Sequence, residues 1–203
     1  MKKALLALAT LTACLSVQAQ DANWRMFAGV GYASGGEKIA SGTITTVGTN
    51  KVLPFDIQAG SGFQERIGAE YRLGQRFTLQ ASLGHSASEA MGFDGSFDFT
   101  VIPLEVMGFM EVGTGFRIGA GARQSSAEMR GTGKAENAPV NGTYVSMQGA
   151  VVELQYLFQN GSAQAGSSHP QFGLSVRGVN EMFSHTLGNL NGNHYEIGAV
   201  LYY

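Results

Sequence analysis

Ten charged side chains share the polar phase of alternating segments: Arg25, Arg66, Glu70, Arg72, Glu105, Arg117, Arg123, Glu153, Arg177 and Glu196. Arginines and glutamates interleaved on one face can do two things. They can pair and fill an interior, since buried charge needs a partner. They can also line a selective pore. A second set could do acyl chemistry. His85-Ser86, Ser184-His185 and His194 bring together the residue types of a Ser–His nucleophile pair. No third residue to orient the histidine is evident, so these read as polar loop residues. His85, His185 and His194 could meet at a metal, but chance proximity is the expectation, and neither metal nor cofactor is expected. The glycines Gly113, Gly115, Gly119 and Gly121 lack G-x-G-x-x-G spacing and read as a turn followed by a small-residue strand face.

These side chains must be positioned by strands. Period-two alternation marks eight segments: Trp24–Ala33, Phe63–Leu73, Phe77–His85, Phe97–Glu111, Phe116–Arg123, Tyr144–Phe158, Gln171–Asn180 and His194–Tyr203. Each puts apolar residues on one face and the charges on the other. Most approach or exceed the roughly 9–11 residues that cross a bilayer as a tilted strand. Residues 73–76 and 112–115 read as tight turns. Residues 34–62, 86–96, 124–143 and 181–193 read as long loops rich in Gly, Ser, Thr and Asn. Inside the first loop, Ile39–Thr46 and Lys51–Ile57 could pair as a hairpin able to add a partner strand. Residues 159–170 should be short and are not; Asn160-Gly161 could close a hairpin there. Pro103 cannot donate to a ladder, so a bulge or an external strand end is expected at that point.

The start of the chain points to export. Lys2 and Lys3 precede an apolar stretch from Ala4 to Leu11, and Val17-Gln18-Ala19 forms a small-residue cleavage site. Residues 1–19 are therefore expected to be removed, leaving residues 20–203 as one barrel domain. The single cysteine, Cys14, falls in the leader; lipidation there is the alternative to cleavage after Ala19. Without Lys2 and Lys3 the formal net charge moves from −2 to −4. Mild acidity without basic clusters argues against nucleic acid. Charged residues make up 14% of the chain, well below the ~25% of soluble domains.

Aromatic residues sort to the segment ends. Trp24, Tyr71, Phe77, Phe116, Tyr156, Phe158, Phe172 and Tyr203 fall at one set of ends, and Tyr32, Phe63, Phe97, Tyr144 and Tyr195 near the other. Two such girdles are what a membrane barrel places at its interfaces. The pattern is carried by RIGAEYRL (66–73), FRIGAGAR (116–123) and HYEIGAVLYY (194–203). It resembles the small eight-stranded outer-membrane barrels that include the OmpA membrane domain, OmpX and the Opa adhesins.

The expected fold is all-β: an eight-stranded antiparallel transmembrane up-and-down barrel with a side-chain-filled interior. The resemblance implies a cell outer-membrane location, contact with outer-membrane lipid and lipopolysaccharide, and a terminal strand presented to the barrel assembly machinery. It implies a non-enzymatic role in membrane integrity or surface interaction through the external loops. The alternatives are a narrow channel for small or apolar solutes and a lipid A-modifying acyl enzyme. No soluble periplasmic domain of the OmpA type is expected.

Overall fold

A computed structural model describes residues 23–45, 52–92, 95–147, 149–158, 170–186 and 188–203. The expected leader, Cys14 and the Asn160-Gly161 turn lie outside these residues. Among the described residues thirteen strands form: β1 (Trp24–Gly35), β2 (Lys38–Thr45), β3 (Val52–Gln58), β4 (Gly62–Arg72), β5 (Phe77–Gly92), β6 (Gly95–Gly113), β7 (Phe116–Gly133), β8 (Gly142–Ser146), β9 (Gly149–Leu157), β10 (Gln171–Asn180), β11 (Met182–His185), β12 (Gly188–Asn191) and β13 (His194–Tyr202).

Eight of them close a barrel. β1, β4, β5, β6, β7, β9, β10 and β13 pair with their neighbours in that order, and β13 returns to β1. Every pairing is antiparallel. The paired row from Trp24 runs through Tyr71, Leu79, Gly108, Ala120, Val152, Gly178 and Tyr195 and comes back to Ser34, a shear of ten residues. With ~3.3 Å per residue and ~4.8 Å between strands, that shear tilts the strands by about 40° to the barrel axis.

The same lattice gives heights. Each residue along a strand rises about 2.5 Å, and each step along a paired row about 3 Å. On this scale Trp24, Tyr71, Phe77, Phe116, Tyr156, Phe172 and Tyr203 lie within about 6 Å of one level. Tyr32, Phe63 and Tyr195 lie about 20–23 Å above Trp24. Between the two rings the outward side chains are apolar and exposed, among them Ile67, Leu79, Val106, Ile118, Leu154 and Leu174, with Glu65 on β4 the charged exception. This is the band-and-girdle pattern of a barrel that faces lipid.

The tight turns are where the sequence puts them. Leu73 N–H donates to Phe77 O at 2.9 Å, and Gly115 turns β6 into β7 at φ +78°. A Cβ at Gly115 would stand 2.7 Å from Leu157 O, so both the backbone conformation and the space favour glycine.

Three expected loops are corrected. Among the described residues, 86–92, 95–96 and 124–133 continue as strand, and 181–193 holds the β11–β12 hairpin. Alternation persists there, but its phase inverts. On β6, Ile102, Leu104 and Val106 face out around inward Glu105, whereas above them Phe99 and Val101 face in around Asp98 and Thr100. In the upper part the apolar residues turn inward, the arrangement that water as surrounding solvent favours. Phe97 and Tyr144, expected in the external girdle, follow this inversion. Tyr144 is buried, and Phe97 packs against the same core.

The upper strands enclose a second core of Ile57, Ala59, Ala90, Phe99, Val101, Ala127, Met129, Tyr144 and Phe183. The expected first-loop hairpin forms as β2–β3 and supplies Ile57 and, partly buried, Ile39 and Phe55. Between β8 and β9 the register against β7 shifts by one residue, which makes a bulge. Ser146 satisfies it: its Oγ accepts from Ser125 N–H at 2.8 Å, and its carbonyl from Gln124 Nε2 at 2.5 Å.

Pro103 also departs from expectation. It sits mid-strand, faces inward, and keeps an unbroken ladder to β7 through Ser125. Neither bulge nor strand end occurs. On the β5 side the pairing lapses opposite Gly84 and His85 and resumes at Ser86–Val101 in the same register. A Cβ at Gly84 would meet the proline ring at 2.8 Å, so the small residue accommodates it.

Candidate functional site

The polar phase of the lower strands converges in the barrel interior as stacked ion pairs. At the lower rim, Arg25 Nε donates to Glu70 Oε1 at 2.8 Å and Arg25 Nη1 to Gln171 at 2.8 Å. Deeper, Arg117 Nη1 meets Glu70 Oε2 at 2.8 Å, and its Nε donates to Gln155 at 2.7 Å. Arg117 also donates to the Tyr202 hydroxyl. Its guanidinium lies over the Phe109 ring, 4.6 Å from the centroid. Gly119 makes that possible, because a Cβ there would be 2.5 Å from Phe109.

Midway up, Arg66 grips Glu153 with both terminal nitrogens, at 2.6 and 2.9 Å. This is the two-pronged geometry that arginine favours with a carboxylate. Arg177 touches three glutamates: Glu153 at 3.1 Å, Glu105 at 2.5 Å and Glu196 at 2.5 Å. Above it, Arg123 reaches Glu105 at 2.9 Å, Glu181 at 3.0 Å and Glu196 at 3.5 Å. His194 closes the layer, with Nδ1 2.6 Å from Gly192 O and Nε2 3.0 Å from Glu196 Oε1.

Five arginines and five glutamates thus share one connected interior. Arg25 has a partly exposed side chain, and the other nine are at most 10% exposed. Such a network adds little net stability over an apolar filling, but removing one member strands its partners at high cost. A void of about 20 Å³ lies beside Gly29, Gly31 and Gly198 against Arg66, Arg177 and Glu196. That is room for one water.

Of the charged residues read from sequence, Arg66, Glu70, Glu105, Arg117, Arg123, Glu153, Arg177 and Glu196 come together. Arg72 does not. It stands at the lower end of β4 with no ion pair among the described residues. Glu181 joins the network although the sequence placed it in a loop; only the continuation of β10 phase through Met182 could have signalled it.

The acyl-transfer pairs do not form. His85 faces outward and Ser86 inward, as neighbours on a strand must. Ser184 is exposed, His185 stacks on Tyr144 at 4.2 Å, and His194 belongs to the charge layer. Among the described residues no three His, Cys, Asp or Glu side chains are placed to hold a metal.

The lower aromatics pack in pairs: Trp24 on Tyr71 at 4.8 Å, Phe116 on Tyr156 at 4.7 Å and Phe158 on Phe172 at 5.7 Å. Phe77 and Tyr203 are exposed at the same level.

No protein-family model and no curated protein matches the chain. Solved structures do. Ail, the attachment invasion locus protein of Yersinia pestis, solved with the heparin analogue sucrose octasulfate, overlays with a TM-score of 0.52. The match covers 89% of this chain and 99% of Ail at 8% identity. The chain has the fold of a small eight-stranded outer-membrane barrel. At that identity the likeness is one of fold alone. Neisserial surface protein A gives a TM-score of 0.48 at 12% identity, covering 88% of this chain and 95% of its own. OprG, an outer membrane protein of Pseudomonas aeruginosa, gives 0.47 at 11%, covering 93% and 99%. The inverted upper half of this barrel is therefore best read from its own residues.

Proposed function

We propose that this protein resides in the Gram-negative outer membrane as a sealed barrel whose external end is its working surface. On this reading it serves membrane integrity or surface interaction and does no catalysis. The observation that carries it is the filled interior. Glu70, Glu105, Arg117, Arg123, Glu153, Arg177 and Tyr202 are each at most 4% exposed, and an apolar core lies above them. Small barrels of this strand number are filled by side chains. The outward apolar band supports residence in lipid, with the two aromatic rings at its interfaces. The leader and the alternating terminal strand support export and handover to the barrel assembly machinery.

Reconstituted into planar bilayers, the folded protein is expected to be electrically silent. Stable, reproducible channels whose ion selectivity changes in Glu105→Gln or Arg177→Gln would overturn the sealed reading and favour the narrow channel.

The external surface also has a character. Its described charges are Lys38, Arg130 and Lys134 against Glu37, Asp56, Glu89, Asp98, Glu128 and Glu136. An acidic surface repels polyanions. A sulfated glycan of the kind bound to Ail is therefore a poor fit, and a neutral or cationic partner a better one. Titration with sucrose octasulfate should give no saturable binding at physiological salt; tight binding would contradict this.

A further inference from the structure

The apolar wall is not equally tall all round. On the β4–β5 side charge interrupts it just below the girdle residue Phe63 of β4. Glu65 and His85 face outward as a directly opposed pair at about 18 and 21 Å above Trp24. On the β9–β10 side, four strands away in a ring of eight, it continues past the girdle. Met182 on β11 stands at about 29 Å and Val145 on β8 at about 31 Å. Met147 stands beside Met182, its N–H donating to Met182 O at 2.9 Å. These three side chains are 43%, 51% and 62% exposed for Met182, Val145 and Met147. The remaining outward residues of β8 and β11 are Thr143 and Ser184, so this face carries no charge. At comparable height the outward residues farther round the ring include Glu89 and Asp98, and Glu128 on β7, opposite Thr143, bounds the uncharged face.

We propose that the outer face of β8 and β11 is a ledge that rests in the outer-leaflet lipid of the membrane the barrel spans. The lipid-facing wall of Ala150, Val152 and Val176 runs up to the ledge, with the uncharged Asn180 as the polar side chain between them among the described residues. That continuity identifies the occupant: the solvent that accepts exposed Val152 and Val176 extends upward to Val145. The inversion of phase that protects β6 and β7 from water is incomplete here, because β8 and β11 keep apolar residues on both faces. Tyr144 and Phe183 fill the inner core while Val145 and Met182 face out. Apolar side chains left outward just above a membrane interface are stabilised by sinking into it. The lipid collar around the barrel is then asymmetric, highest under β8–β11.

The test places an environment-sensitive fluorophore on single cysteines in a Cys14→Ser background. The sites are Met182→Cys and Val145→Cys on the ledge, Glu89→Cys across the barrel at similar height, and Leu83→Cys within the wall. The refolded full barrel is put into phosphatidylcholine vesicles that carry a lipid spin-labelled near the headgroup. The ledge probes should be quenched by the spin label and shielded from aqueous iodide nearly as well as Leu83→Cys, with Glu89→Cys the reverse. Iodide access at Met182→Cys and Val145→Cys equal to that at Glu89→Cys would overturn the proposal. So would shielding from iodide without spin-label quenching, the mark of a second copy or another protein on this face. Sheet content by circular dichroism identifies folded variants, and either ledge site alone suffices to decide.

Discussion

The lower and upper halves of β6 and β7 are the same strands under opposite rules. Below, Val106 and Ile118 face out while Glu105, Arg117 and Arg123 face in. Above, Asp98, Glu128 and Arg130 face out while Phe99 and Met129 face in. The backbone period is two throughout, and only the surrounding solvent changes. A strand can therefore stay in register while its chemistry turns inside out, provided the change falls at residues tolerant of both settings. Here it falls near Val101–Ile102 and Ser125–Ser126.

The largest way to break the comparison is in the lower half. Glu153→Ala removes the partner of both Arg66 and Arg177. It is expected to cost about 3–5 kcal/mol in urea unfolding of the micelle-folded barrel, since Arg66 loses its anion and Arg177 one of its three. Phe99→Ala strikes the upper half instead. The cavity should cost about 3 kcal/mol, and the loss should be local. Hydrogen exchange should quicken in β8, β11 and the β2–β3 hairpin while the lower strands stay protected. Uniform loosening of the whole barrel would mean the halves are one cooperative unit.

Moderate effects sharpen the contrast. Leu154→Arg puts a charge on the lipid face and should cost about 2 kcal/mol or more. Glu128→Arg on the upper face should stay within about 0.5 kcal/mol. Smallest of all, Arg72→Ala should also stay within about 0.5 kcal/mol, because Arg72 lacks the pairing that Arg117 has. A loss approaching that of Glu153→Ala would place Arg72 in the network after all.

Much of the lower half was legible in the sequence, because lipid enforces one pattern with few exceptions. Apolar-out alternation located all eight wall strands and the polar phase that carries Arg66, Glu153 and Arg177. The upper half was harder to read for a physical reason. A search for a continuous apolar stripe stops where the stripe changes faces, so strand residues such as Phe99 and Met129 fell next to or inside supposed loops. Glu181 was lost with them. The fate of His194 was not legible either. Its buried place beside Glu196 depends on how Gly35 and Gly60 of the first external connection pack against it, and pairing across such distances leaves no local pattern. The first-loop hairpin was found because its two runs are close in sequence.

The inversion itself is tested most directly by single cysteines along β6, from Phe97 to Val106, in the Cys14→Ser protein in vesicles, scored with a membrane-impermeant thiol reagent. Reactivity should appear at the outward positions Asp98 and Thr100, vanish at outward Leu104 and Val106, and stay low at inward Phe99, Val101 and Glu105. Alternating reactivity of a single phase along the whole strand, or equal access at Thr100 and Val106, would contradict a barrel that turns inside out where lipid gives way to water.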